Sequence, residues 1–131
     1  MYNSCTNLTE VPNINVNKLK EKALSYMCNS CQNLNTLLWT SGITAVDTEE
    51  RSMQCAFKLC TNLGKMVPLY IKNYGPHACE EMFMQSGITT LGTSFATAEK
   101  VDKYSFYKMF ESCTQLTSLA NSIIPGAYIN Y

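Results

Sequence analysis

The same phrase returns five times along this chain. Met1-Tyr2-x-x-Cys5-x-x-Leu8 recurs as Met27-Cys28-x-x-Cys31-x-x-Leu34, Ala56-Phe57-x-x-Cys60-x-x-Leu63 and Met109-Phe110-x-x-Cys113-x-x-Leu116. A tighter copy, Met82-Phe83-x-x-Ser86-x-Ile88, stands fourth. The anchors at 5, 31, 60, 86 and 113 lie 26, 29, 26 and 27 residues apart. A period of that size marks stacked units, each burying its apolar side against its neighbours.

Columns counted from the anchor carry the local prediction. Seven residues before it stand Leu24, Met53, Cys79 and Phe106; four before, Met1, Met27, Ala56, Met82 and Met109; three before, Tyr2, Cys28, Phe57, Phe83 and Phe110. Offsets −7, −4, −3 and 0 describe one face of an α-helix. Helix starts fit that phase: Asn17 before Lys18, Asp47 with Glu50 in a capping-box spacing, Pro76 at a first helical position, and Asp102 before Lys103. After each anchor an apolar pair three apart (Leu34 and Leu37, Leu63 and Met66) is too short for a helix and predicts strands near 8–12, 34–39, 63–68, 88–92 and 116–120. The expected fold class is therefore α/β. It is a short leucine-rich-repeat-like solenoid over residues 1–121, about five repeats, with one helix and one short parallel strand in each. Residues 122–131 carry no anchor and are expected to form a C-terminal cap or a docking tail.

Composition narrows function mainly by exclusion. Ten basic residues balance ten acidic ones, so the chain lacks the electrostatic footprint of a nucleic-acid partner. No apolar run reaches the roughly 18 residues of a membrane span, so no membrane insertion is expected. The N-terminus shows neither the positive region nor the apolar core of a signal peptide; either the protein is not exported by that route or the chain is a piece of something larger. Seven cysteines would suggest a disulfide framework in a small secreted protein. Here Cys5, Cys31, Cys60 and Cys113 share one column, with Ser86 as the fifth member, while Cys28 and Cys79 fall in apolar columns. Residues that alternate with Met, Phe and Ser are expected to be free thiols acting as small buried hydrophobes. Cys28-x-x-Cys31 has no second pair to complete a zinc site. The single histidine, His77, lies two residues from Cys79. Cys79 sits in an inward column and His77 outside it, so a Cys–His nucleophile pair is not expected. No enzyme activity, cofactor or metal follows from the sequence.

The run Met109-Phe110-Glu111-Ser112-Cys113-Thr114-Gln115-Leu116-Thr117-Ser118-Leu119 resembles the unit of BspA-type leucine-rich repeat proteins. Ala56 to Leu63 and Ser4 to Pro12 repeat it, and the resemblance covers nearly the whole chain. Such repeats occur in surface proteins of gut and oral bacteria and in bacteriophages of gut hosts. The resemblance implies a non-enzymatic protein-binding or adhesion module at a cell surface or on a virion, with a protein or a surface glycan as partner. The alternative it leaves open is a structural virion component: a phage fibre, decoration, or capsid- or tail-associated protein.

Two candidate surfaces follow. If Val11, Leu37, Met66, Leu91 and Leu119 point inward, then Glu10, Thr36, Leu38, Lys65, Val67, Thr90 and Ser118 line an outer strand face open to a partner. Trp39 points inward by the same parity. The first unit lacks most of its helix, so Met1 and Tyr2 are expected at an uncovered edge. With Ile123, Ile124, Tyr128 and Tyr131 of the tail they form the candidate assembly surface, joining this chain to another copy or to other virion subunits.

Overall fold

The structure is a computed structural model and describes residues 2–9, 13–35, 42–65, 67–90 and 98–116. Among these residues lie five strands: β1 (Ile14–Asn15), β2 (Lys18–Leu19), β3 (Ile43–Thr48), β4 (Leu69–Tyr74) and β5 (Lys100–Val101). All pairings are parallel. The order is β1-β3-β4-β5, with β2 also on β3. Register follows the repeat: Ile14 faces Ile43, Ile43 faces Leu69, and Asn73 faces Lys100. These steps equal the spacings between successive anchors from Cys31 onward.

The expected helices are absent from the described residues. In their place each unit runs through consecutive β-turns. Amides at offsets −8, −6, −4, −2 and 0 from an anchor donate to the carbonyl three residues back, as Met27 does to Leu24 (3.1 Å) and Cys113 to Phe110 (3.1 Å). The amides between them donate to the next coil: Leu24 to Ser52 (2.7 Å), Cys28 to Ala56 (2.7 Å), Phe57 to Met82 (2.8 Å) and Phe83 to Met109 (3.0 Å). A helix bonds every amide within itself. This arrangement spends half of them on the neighbouring coil, so it forms only as a stack. The α/β solenoid with a helix in each repeat is thereby corrected to a stack of coils, each a short parallel strand followed by a ribbon of turns.

The misreading has a definite physical cause. Two turns advance the chain by four residues, so the inward positions pair up as −8 and −7, −4 and −3, then 0. Sampled at −7, −4, −3 and 0, that series imitates one face of a helix. The −8 column tells them apart. Ser52, Ala78 and Ser105 are small and fully buried there. Asp47 caps no helix but lies within β3, and Asn17 bridges β1 and β2, its carbonyl accepting from Val46 (3.0 Å) and Asp47 (3.2 Å). The strands are displaced too. They precede the turns, and among the described residues the segments after the anchors contribute only an isolated parallel bridge between Lys65 and Thr90.

The turn ribbon demands a backbone that few side chains favour. Offsets −9, −5 and −1 of every coil from the second to the fifth have φ between 53° and 63°, and none is glycine: Lys22, Tyr26 and Ser30 in the Cys31 coil, His77, Glu81 and Gln85 in the Ser86 coil. Such a conformation costs a non-glycine residue on the order of 1 kcal/mol. Glycine loses that penalty but gains chain entropy on unfolding, so the two nearly cancel. Lys22→Gly and Gln85→Gly are therefore expected to leave thermal stability unchanged or raise it by up to about 1 kcal/mol. Ala23→Gly, one residue along and without a positive φ, is expected to lose about 0.5–1 kcal/mol. A helix would lose about 1 kcal/mol at all three sites. Melting temperatures of the three variants decide between them.

The repeat columns form the core. Leu24, Met27, Cys28, Cys31 and Leu34 are buried, as are Met53, Ala56, Phe57, Cys60 and Leu63 one coil on. Rings of the −3 column stack along the coil axis: Phe57 on Phe83 at 5.5 Å and Phe83 on Phe110 at 5.9 Å, with nearly parallel planes in both cases. The anchor thiols point to the carbonyl of the −3 residue one coil earlier: Cys31 Sγ to Tyr2 (2.8 Å), Cys60 Sγ to Cys28 (3.1 Å) and Cys113 Sγ to Phe83 (3.0 Å). A thiol is small enough for the column and supplies a weak donor as well.

Candidate functional site

Two-residue alternation in β3 and β4 sends Ile43, Ala45, Leu69 and Ile71 into the core. The same alternation turns Thr44, Val46, Tyr70 and Lys72 outward. Asn15, Thr44 and Tyr70 stand side by side across β1, β3 and β4. Two residues further on, Asn17 lies beside Val46, whose amide it binds, and the β3–β4 register sets Val46 beside Lys72. These six residues line an open depression of about 540 Å³. Tyr70 is 52% exposed, Val46 40% and Val16, on its rim, 39%. They are three of the five large apolar or aromatic side chains most open to water among the described residues. Gathering them on one face leaves a patch that favours contact over hydration.

The sequence places the candidate face after the anchors, and the structure divides that set. Lys65 and Thr90 are exposed and bridged to one another. Val67, expected to point outward, is fully buried in the core. Glu10, Thr36, Leu38 and Ser118 lie outside the described residues, as does Trp39. Of the assembly set, Tyr2 is half-buried against the core and its amide donates to the Met27 carbonyl. Met1, Ile123, Ile124, Tyr128 and Tyr131, with the whole 122–131 tail, lie outside the described residues. The depression around Tyr70 is missing from the sequence-based set, although Ile43-Thr44-Ala45-Val46 and Leu69-Tyr70-Ile71-Lys72 carry the strand alternation that could have located it.

Away from this face, titratable side chains meet one another within the turn ribbon. Cys55, fully buried at a −5 position, points its thiol at Glu81 Oε2 (3.3 Å), and Lys58 Nζ reaches the same oxygen at 3.6 Å. Burial, then the hydrogen bond to Glu81, pushes the Cys55 thiol up to about 11. Burial likewise pushes Cys60 up to about 12, and raises Cys28 and Cys79. Thiols held protonated in this way make poor nucleophiles at neutral pH. His77 Nδ1 lies 2.6 Å from Glu80 Oε2 on the partly exposed side of its turn, whereas Cys79 is fully buried. No three His, Cys, Asp or Glu side chains converge on a metal position among the described residues. Six cysteines are buried, and Cys5, in the first unit with its uncovered edge, is exposed.

No family model matches this chain, and no curated protein or solved structure matches it either.

Proposed function

We propose that the chain is a non-catalytic binding or adhesion module that holds its partner on the outer face of the parallel sheet. The observation that carries this reading is the exposed Tyr70, with Val46 and Val16, set among Asn15, Asn17, Thr44 and Lys72 on a hydrogen-bonded sheet. An aromatic anchor ringed by polar groups is how binding surfaces combine affinity with orientation. The resemblance of the repeat to BspA-type units supports the same class of function. An array of glycans and peptides probed with the wild-type chain and with Tyr70→Ala tests it. Tyr70→Ala is expected to weaken every specific signal about tenfold or more, since losing a central aromatic anchor typically costs about 2 kcal/mol. Signals unchanged by Tyr70→Ala would overturn the reading.

A second reading, structural assembly within a virion, has one observation in its favour. Among the described residues β1 and β2 pair only with β3, so they form an edge of the sheet. A strand edge is a template for another chain. If this edge assembles, light scattering gives a mass above the monomer at micromolar concentration; a monomeric mass removes that reading.

A further inference from the structure

The depression around Tyr70 holds hydrogen-bonding side chains that the fold does not use. Elsewhere asparagine side chains are engaged: Asn29 donates to Asn3, Asn33 to the Thr6 carbonyl, Asn62 to Asn33 and Asn73 to Asp47. The side chains of Asn15, Asn17 and Thr44 make no hydrogen bond among the described residues, and none of the three is buried. A carboxamide offers a donor and an acceptor side by side, and a hydroxyl is both. A ligand that covers these groups has to return bonds of both kinds; an apolar one would strip their water and give nothing back. Charge, by contrast, selects nothing here. Lys72 stands beside the exposed Glu99, whose amide donates to the Lys72 carbonyl (2.7 Å). Lys18 stands beside Asp47 and reaches Glu49 at 3.0 Å. Each of these cations has a carboxylate for a neighbour, and the row Asn15, Thr44 and Tyr70 is uncharged. Size narrows the ligand further. Neighbouring strands lie about 4.8 Å apart and alternate residues about 6.6 Å apart along a strand, so the six residues span about 10 Å by 7 Å. That is far below the ~800 Å² each side of a stable protein interface buries. A peptide added as a strand needs a free edge, and β3, at the centre of the depression, is paired on both sides.

We infer that this depression is a site for a neutral saccharide. A sugar ring joins an apolar C–H face to a rim of hydroxyls that both donate and accept. The C–H face lies on Tyr70 and Val46, and the hydroxyls exchange hydrogen bonds with Asn15, Asn17 and Thr44. The inference rests on the sheet face being the binding surface, as proposed above.

The test is an NMR titration of the full-length, isotope-labelled chain with three sets of probes: neutral oligosaccharides of glucose, mannose, galactose and N-acetylglucosamine; an oligogalacturonate; and an uncharged glycine–serine peptide. The expected result is that a neutral oligosaccharide shifts the amides of Asn15, Thr44 and Tyr70, with the same affinity at low and at high salt. Asn15→Ala and Asn17→Ala should each weaken that binding about three- to tenfold, the scale of a lost neutral hydrogen bond. Tighter binding of the oligogalacturonate that fades at high salt would overturn the neutral-sugar assignment and leave the sheet-face reading standing. The same holds if the peptide shifts these amides and the sugars do not, or if sugar binding is indifferent to both asparagine variants. Silence of the face toward every probe also overturns the assignment; the wider reading is then decided by the array comparison with Tyr70→Ala, which involves no choice of ligand class.

Discussion

Phe83→Ala is expected to destabilise the fold by about 4 kcal/mol, the largest loss at any single core position. Phe83 is fully buried and is the middle ring of the column, stacked on Phe57 on one side and Phe110 on the other. Truncating a buried phenylalanine costs about 3–5 kcal/mol through lost transfer energy and the cavity it leaves. Two ring contacts add about 0.5–1.5 kcal/mol each where they are well formed. The Phe83 carbonyl also receives the Cys113 thiol, so collapse of the backbone into the cavity would cost that contact as well. Against a total stability of about 5–15 kcal/mol, this is a large fraction. In a chain of this length it lowers the melting temperature by roughly 15 °C. Phe83→Leu keeps most of the volume and is expected to lose less than half as much. Chemical denaturation of the two variants checks both numbers; a loss under about 1.5 kcal/mol for Phe83→Ala would mean that the column is not the core.

Gly87→Ala comes next, at about 3 kcal/mol, and its cause is the shortened fourth unit. The other units place two residues between anchor and leucine, as Thr61-Asn62 does between Cys60 and Leu63. The fourth has Gly87 alone. Ile88 still has to stack in the leucine column, and both Leu63 and Ile88 are fully buried. The chain therefore cuts the corner, with the Gly87 amide bonded to the Cys60 carbonyl (3.1 Å) and Thr89 to Gly64 (3.0 Å). A Cβ at 87 would sit 2.0 Å from the Thr61 carbonyl oxygen and 2.8 Å from its carbon. Those are backbone atoms inside a bonded coil, so relief requires moving the coil itself, at the upper end of the usual 1–3 kcal/mol for overpacking. Replacing Gly87 by the pair Thr-Asn restores the spacing of the other units and is expected to recover most of the loss. If urea denaturation finds Gly87→Ala as stable as wild type, this packing account of the short unit is wrong.

Much of this fold is legible in the repeat, and what is missed has a physical reason. The columns Met27, Cys28, Cys31 and Leu34 and their equivalents in the third and fourth units name core residues correctly, because burial depends on which side of the coil a residue faces, whatever the backbone is doing. Parallel stacking follows from the same periodicity. The secondary structure does not, because a four-residue turn period and a 3.6-residue helix agree over the seven residues compared. The alternating hydrogen bonds that separate the two run to the neighbouring coil, and local sequence patterns carry no sign of them. Strand position fails for a related reason: Leu63 and Met66, three apart after an anchor, look like a strand, while Ile43 to Thr48 lies where a helix cap is expected. With the strands misplaced, the candidate face moves too, from Lys65 and Val67 to Thr44, Val46, Tyr70 and Lys72.

The central claim is that the fivefold phrase encodes stacked turns and parallel strands without helix. Far-ultraviolet circular dichroism of the full chain tests it most directly, because residues 21–30, 51–59, 76–85 and 103–112 would dominate the spectrum if they were helical. The expected spectrum lacks the double minimum of α-helix. A strong helical double minimum that melts in one cooperative step with the rest of the fold would contradict the claim.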